Sequence, residues 1–171
     1  MRTSPHKGVT LLELCCALAL VAVLAGLAAP TFRASARATA VRSAAFELMT
    51  GLQQTRGNSI VEARPGVLCF MDAARNCLDA AAPAVAWRAY LETESGETKG
   101  GAQIAAEVSL PPGVTVRSAR PRIRFWPSSL SASTATLTIC DAHGLAAPRA
   151  IVISQNGRAR FGVPAADACR A

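Results

Sequence analysis

Histidine is nearly absent: the 171 residues include only His6 and His143, and neither lies near a cysteine pair. No CxxC occurs either, so the donor spacing of a zinc site is missing, and no metal or other cofactor is expected. No pair of acids stands at a spacing suited to acid–base work and no catalytic constellation emerges, which argues against an enzyme. Internal repeats and extended charge blocks are lacking too. Acids are the minority charge, 11 against 18 Lys and Arg for a net +7. That balance, with a pI of about 9.7, favours an anionic partner such as nucleic acid or acidic lipid. The length leaves room for one modest domain and an N-terminal extension, since a single core usually takes about 100–150 residues.

What is present begins with an apolar run. Residues 9–29 are mainly Leu, Ala and Val with one charged residue, Glu13; as a helix they would reach about 31 Å, the thickness of a bilayer. Arg2 and Lys7 precede the run, so the positive-inside rule keeps the first residues cytoplasmic and sends the remainder to the periplasm. A secretory signal peptide also has a basic start and an apolar core, and residues 25–30 could pass for its cleavage site, but its core is typically shorter than this run and the order of elements decides against it. Glu13 needs a partner or a function, because an ionised carboxylate in hydrocarbon costs about 3 kcal/mol. Pro30 falls where it would bend the helix at the membrane surface.

The six cysteines fall into three sets. Cys15 and Cys16 lie inside the apolar run and are expected to be reduced, facing lipid or packed in a bundle. Cys69, Cys77, Cys140 and Cys169 read as disulfides, which fits an exported domain. Four cysteines allow three connectivities, of which Cys69 with Cys77 and Cys140 with Cys169 closes each loop within its own segment.

Lys7-Gly8-Val9-Thr10-Leu11-Leu12-Glu13 resembles the prepilin peptidase signature of type IV pilins, a basic residue and a glycine before an apolar helix with one glutamate. The resemblance implies cleavage between Gly8 and Val9 by prepilin peptidase, N-methylation of Val9, and pairing of Glu13 with the new amino terminus of a neighbouring subunit during filament assembly. Pilins more often begin with Phe or Met, so Val9 departs mildly from the pattern. Pro30 is similar to the helix-kinking proline of pilins.

Downstream, Ala34, Ala38, Val41, Ala45, Leu48 and Leu52 recur at spacings of four and three, an amphipathic helix running to residue 63. Arg33, Arg37, Arg42, Glu47 and Arg56 fall off that stripe and read as a solvated face or headgroup contacts, with Pro65-Gly66 as the stop. Strand patterns follow at 67–71, 85–91, 104–110, 114–117, 122–126, 135–140, 150–154 and 158–163, with loops at 95–102 and 128–134. One long helix ahead of many short strands is an α+β arrangement in which the helix covers a face of an antiparallel sheet. This is the architecture of the type IV pilin fold. The expected division is a leader at 1–8, a transmembrane helix at 9–29, an amphipathic half-helix at 30–63 and a β-rich domain at 64–171.

Residues 56–63 before a cysteine-bearing strand, 123–127 before a Ser-rich loop, 137–144, and above all 151–160 followed by Cys169 resemble the FimT/GspH family of minor pilins. Asn156-Gly157 between apolar strands predicts a two-residue hairpin turn with Ile153 opposite Arg160. Arg158 and Arg160 are expected on one face, with Ala159, Phe161 and Val163 on a buried one. Gly157, Arg158 and Arg160 form a GRxR motif similar to the DNA-binding motif of FimT-type pilins that serve natural transformation. Guanidinium groups suit phosphate oxygens. Residues 117–160 also hold Arg117, Arg120, Arg122, Arg124 and Arg149 against one acid, Asp141, so a patch binding double-stranded DNA without reading its sequence is expected. Trp87, Tyr90 and Trp126 are expected in the core rather than stacked on bases. The alternative is a GspH-like pseudopilin of type II secretion with a purely structural role, Arg158 and Arg160 then guarding a strand edge. Partners under either reading are other major and minor pilins, with bacterial inner-membrane lipid before assembly and the cell surface afterwards.

Overall fold

The computed structural model describes residues 8, 10–92, 103–127, 131–165 and 167–169, without the side chains of 27–30, 103 and 104. Val9, the basic leader residues and the loop at 95–102 therefore lie outside the described residues, as does the side chain of Pro30, where the kink is expected. A single helix, α1, runs over Leu11–Val61. At its start the Glu13 amide donates to Thr10 Oγ1 at 3.3 Å, the bond by which a threonine caps an otherwise orphaned N–H.

The chain divides into two compact units, Met1–Ala36 and Arg37–Ala171. In the first, every side chain of residues 11–26 is exposed, a long apolar surface among the described residues. Among the described residues no unbroken helix is long and apolar enough to cross a membrane; Leu11–Gly26 together with Thr31–Val61 meets that requirement by length and composition.

The second unit is built on the remaining half of α1. Val41, Ala44, Ala45, Leu48, Met49 and Leu52 are buried there, the stripe that spacings of three and four place on one helix face. Burial starts at Val41: Ala38, assigned to the stripe, is exposed. Further along, the stripe turns polar without leaving orphans. Thr55 Oγ1 donates to the Gly51 carbonyl at 2.6 Å and Ser59 Oγ to the Phe125 carbonyl at 3.3 Å, as buried hydroxyls require.

Eight of the nine strands among the described residues occupy the segments where alternation predicts them: β1 Gly66–Met71, β2 Ala86–Leu91, β3 Gln103–Ser109, β4 Val114–Ser118, β5 Arg122–Trp126, β7 Ala135–Asp141, β8 Arg149–Ile153 and β9 Ala159–Gly162. The remaining one, β6 at Ser131–Ala132, lies in a stretch expected to be loop. The strands form two antiparallel sheets rather than one, in the orders β3-β2-β1-β5-β6 and β4-β7-β8-β9. Backbone pairing between Ala84 and Val116 joins them, and the Ala132 amide donates to the Gln155 carbonyl at 2.7 Å. One apolar cluster, including Leu48, Leu68, Phe125, Leu137 and Ile151, draws on α1 and both sheets, which makes the helix the shared cover of two sheet faces.

Gly66 proves to be a packing residue of β1 rather than a helix stop. A Cβ there would lie 2.7 Å from the Thr55 carbonyl oxygen, so only glycine lets β1 approach the helix so closely. The helix ends before it, with Ala63 at φ 50° and the Arg64 amide donating to the Ser59 carbonyl, a left-handed C-cap made without glycine. Cys69 is bonded to Cys77 and Cys140 to Cys169. The second bond fastens the C-terminal residues to β7.

Candidate nucleic-acid interface

The β8–β9 connection departs from the two-residue turn that Asn-Gly suggests. Ile153 pairs with Ala159 and Val152 with Arg160, so Arg160 does not face Ile153. The reason is that Gly157 alone adopts a left-handed conformation, φ 74°, while Asn156 does not; a type I′ turn needs both central residues there. Instead the Gly157 amide donates to the Ser154 carbonyl at 2.9 Å, and the Ser154 amide to the Arg158 carbonyl at 3.1 Å. Ser154 Oγ also donates to that carbonyl at 3.0 Å. The Arg158 amide donates to Asn156 Oδ1 at 3.3 Å, so the side chains of this turn reinforce a three-residue loop closed by a glycine bulge.

The expected face division fails on the apolar side as well. Phe161 is 41% and Val163 92% exposed, since β9 is an edge strand. Phe161 nevertheless packs edge-on against Phe46 of α1, ring centroids 5.2 Å apart. Ala159 alone of the three packs against the core. Arg158 and Arg160 are both exposed, while Gly157 between them and the helix is buried.

Gly157 meets an unexpected neighbour. A Cβ at this position would lie 3.2 Å from Arg56 Nε and 3.4 Å from Arg56 Cδ, so the α1 guanidinium rests against the turn. Arg56 is half-buried rather than part of a solvated face. Leu52, Gln53, Arg56, Gly57 and Ile60 of α1 and residues 157–159 of the hairpin line an open groove of about 470 Å³. No acid lines it. Among the described residues no hydrogen-bond or ion-pair partner meets the guanidinium of Arg56, Arg149, Arg158 or Arg160.

Other arginines of the predicted patch are already spent. Arg122 pairs with Asp79 at 2.8 Å, and Arg124 pairs with Glu92 while lying over the Trp126 ring, 6.0 Å from its centroid. Both sit on β5, in the other sheet from Arg149 and Arg160. Counting charge over residues 117–160 overlooked these acids because they come from outside that window. Trp87 and Tyr90 are buried, and Trp126 is 37% exposed.

Arg37, also assigned to a solvated face, is instead locked in place. Its Nε and Nη2 donate to Asp141 Oδ1 at 2.9 and 2.6 Å, and its Nη1 donates to the Pro112 carbonyl at 2.7 Å. The Leu145 and Ala146 amides donate to Asp141 Oδ2 at 2.8 and 3.2 Å. Burial pushes the Asp141 carboxyl up, but hydrogen bonds from Arg37, Leu145 and His143 outweigh it and leave the pKa lowered.

With this geometry in view, the family model described as Type II transport protein GspH matches residues 44–157. The chain belongs to the GspH family. That match covers α1 from Ala44 onward and strands β1 to β8, and stops at Gly157, ahead of Arg158, β9 and Arg160. No curated protein matches the chain. Two crystal forms of the type IV minor pilin FimU from Pseudomonas aeruginosa strain PAO1 are similar at 18% identity, each with a TM-score of 0.54. They cover 72% and 71% of this chain and 88% and 92% of theirs, a likeness that shows the type IV pilin fold. As a GspH-family minor pilin, the protein is of a membrane-anchored, pilus-associated kind that assembles with other pilins in a filament of a type IV pilus or type II secretion system.

Of the residues singled out in the sequence, the fold brings Gly157, Arg158 and Arg160 to one hairpin, places Arg149 on the neighbouring strand β8, and sets Arg122 and Arg124 on β5 of the other sheet. Gly8 and Glu13 lie in the first unit. Arg56 was missed as part of the hairpin site, although it stands four residues after Leu52 and so continues the buried stripe by one turn.

Proposed function

We propose that this GspH-family pilin is a FimT-like minor pilin of a type IV pilus, which binds double-stranded DNA without sequence preference and supports DNA uptake in natural transformation. The observation that carries the reading is the exposed hairpin that presents Arg158 and Arg160 with no acid among the described residues to neutralise them. Such groups gain most from phosphate oxygens, and binding releases counterions from the duplex. Arg149 adds a further cation on β8 without a partner among the described residues, whereas Arg122 and Arg124 are held by Asp79 and Glu92. Cleavage between Gly8 and Val9 by prepilin peptidase and pairing of Glu13 with a neighbour's amino terminus would deliver the protein from the inner membrane into the filament.

The test is duplex affinity of the full chain in neutral detergent micelles across a salt series, with and without Arg158→Ala and Arg160→Ala. The expected result is a log–log slope of about −0.9 per phosphate contacted, lost largely in the double variant. Salt-insensitive or absent binding overturns it. A structural pseudopilin of type II secretion is the second reading, favoured by the family match itself, which ends before either arginine.

A further inference from the structure

Resting on the DNA-binding reading, we infer that Arg56 of α1 is a direct phosphate contact, and that a duplex backbone seats in the groove between the helix and the β8–β9 turn. Three observations converge on this groove. Arg56 and Arg158 both line it, one from the helix and one from the hairpin, and no acid is among the lining residues. Two like charges lining one cleft without a carboxylate repel each other, and an anion bound there removes that cost. Gly157, left-handed and buried, keeps the floor of the cleft open where a Cβ would press on Arg56 Nε at 3.2 Å.

Half-burial adds to the effect. Arg56 has already lost part of its hydration and its rotamer freedom, so it loses less of either when a phosphate arrives. Gln53, a turn before Arg56 on α1, offers an uncharged donor to the same backbone. The occupant that fits is a phosphodiester chain. An isolated apolar ligand would leave both guanidinium groups unpaired, and an acidic peptide would have to place carboxylates at the same spacing in a cleft with apolar Leu52 and Ile60 walls.

The experiment measures duplex affinity and its salt slope for the full chain in neutral detergent micelles, comparing Arg56→Gln, Arg56→Lys, Arg158→Ala with Arg160→Ala, and Arg75→Gln. Arg75 is ion-paired to Glu107 away from the hairpin, and its substitution controls for loss of one charge. Arg56→Gln is expected to weaken binding roughly tenfold at fixed salt, as for a lost charged hydrogen bond, and to flatten the slope by about one phosphate's share. Arg56→Lys should restore the slope but only part of the affinity, because an ammonium cannot bond in a bidentate manner. If Arg56→Gln matches Arg75→Gln while the Arg158 and Arg160 pair still abolishes binding, the groove is not the seat and the DNA reading survives. If the unaltered chain binds no duplex, both fall. Thermal unfolding of each variant separates a lost contact from a lost fold.

Discussion

Arg37 and Arg56 belong to the same packed half of α1, yet their surroundings are opposite. Arg37 meets a fully buried carboxylate and a carbonyl that together engage three of its nitrogens. Arg56 meets a glycine backbone, a second arginine's groove and no acid. The fold supplies a buried acid where it needs an arginine fixed, since an unpaired buried charge is costly. Where it supplies none, the cation is left available to something outside the chain. Stability resides at the first site, and the proposed recognition is assigned to the second.

Removing Asp141 tests the first half of that contrast and carries the largest expected effect. Asp141→Ala strands the Arg37 guanidinium and the Leu145 and Ala146 amides. A broken buried pair costs about 3–5 kcal/mol, and the low end applies because Arg37 retains 20% side-chain exposure. Equilibrium urea unfolding measures it, and a loss under about 1 kcal/mol would refute the anchoring role. The same group sets an acid limb. Its folded pKa lies below the ordinary value of 3.8, so the unfolded state binds the proton first as pH falls. The contribution is whole above about pH 4 and is lost as pH drops through the lowered folded value. Asp141→Asn should abolish that part of the pH dependence.

The recognition half breaks next. Arg158→Ala with Arg160→Ala should cost duplex binding about a hundredfold, two charged contacts at roughly tenfold each, while unfolding free energy stays within about 0.5 kcal/mol, as for exposed residues. A matched loss of stability and binding would instead make the pair structural. Gly157→Ala links both halves at a smaller scale. Its left-handed backbone strains any β-carbon by about 1–2 kcal/mol, and the new methyl displaces Arg56, so moderate destabilisation should accompany weaker binding.

Much of this arrangement was legible in local pattern. The spacing of Val41, Ala45, Leu48 and Leu52 reports a helix face because neighbours three and four apart share it whatever the fold. Strand positions were legible for the same reason. The division into two sheets was not, since it rests on pairings such as Ala84 with Val116, which are distant in sequence. The turn misled because Asn-Gly suits two geometries, and bonds from Ser154 to the Arg158 backbone select the longer one. Charge was the least legible of all. A window of sequence cannot show that Asp79 and Glu92 reach β5 from outside it.

That last failure yields the smallest prediction and the sharpest control. Arg122 and Arg160 carry the same charge within the same basic segment, so a purely electrostatic account weights them equally. Structure weights them differently: Arg122 is held by Asp79 at 2.8 Å across exposed surface, and Arg160 stands on an edge strand without a partner among the described residues. Arg122→Gln removes a surface pair worth about 0–1 kcal/mol and frees an acid as it removes a base. Duplex affinity should therefore fall less than threefold, and stability should move by less than about 0.5 kcal/mol. An equal loss for Arg122→Gln and Arg160→Gln in the same salt series would mean that net charge, not the hairpin, holds the duplex, and the contrast between paired and unpaired arginines would lose its functional meaning.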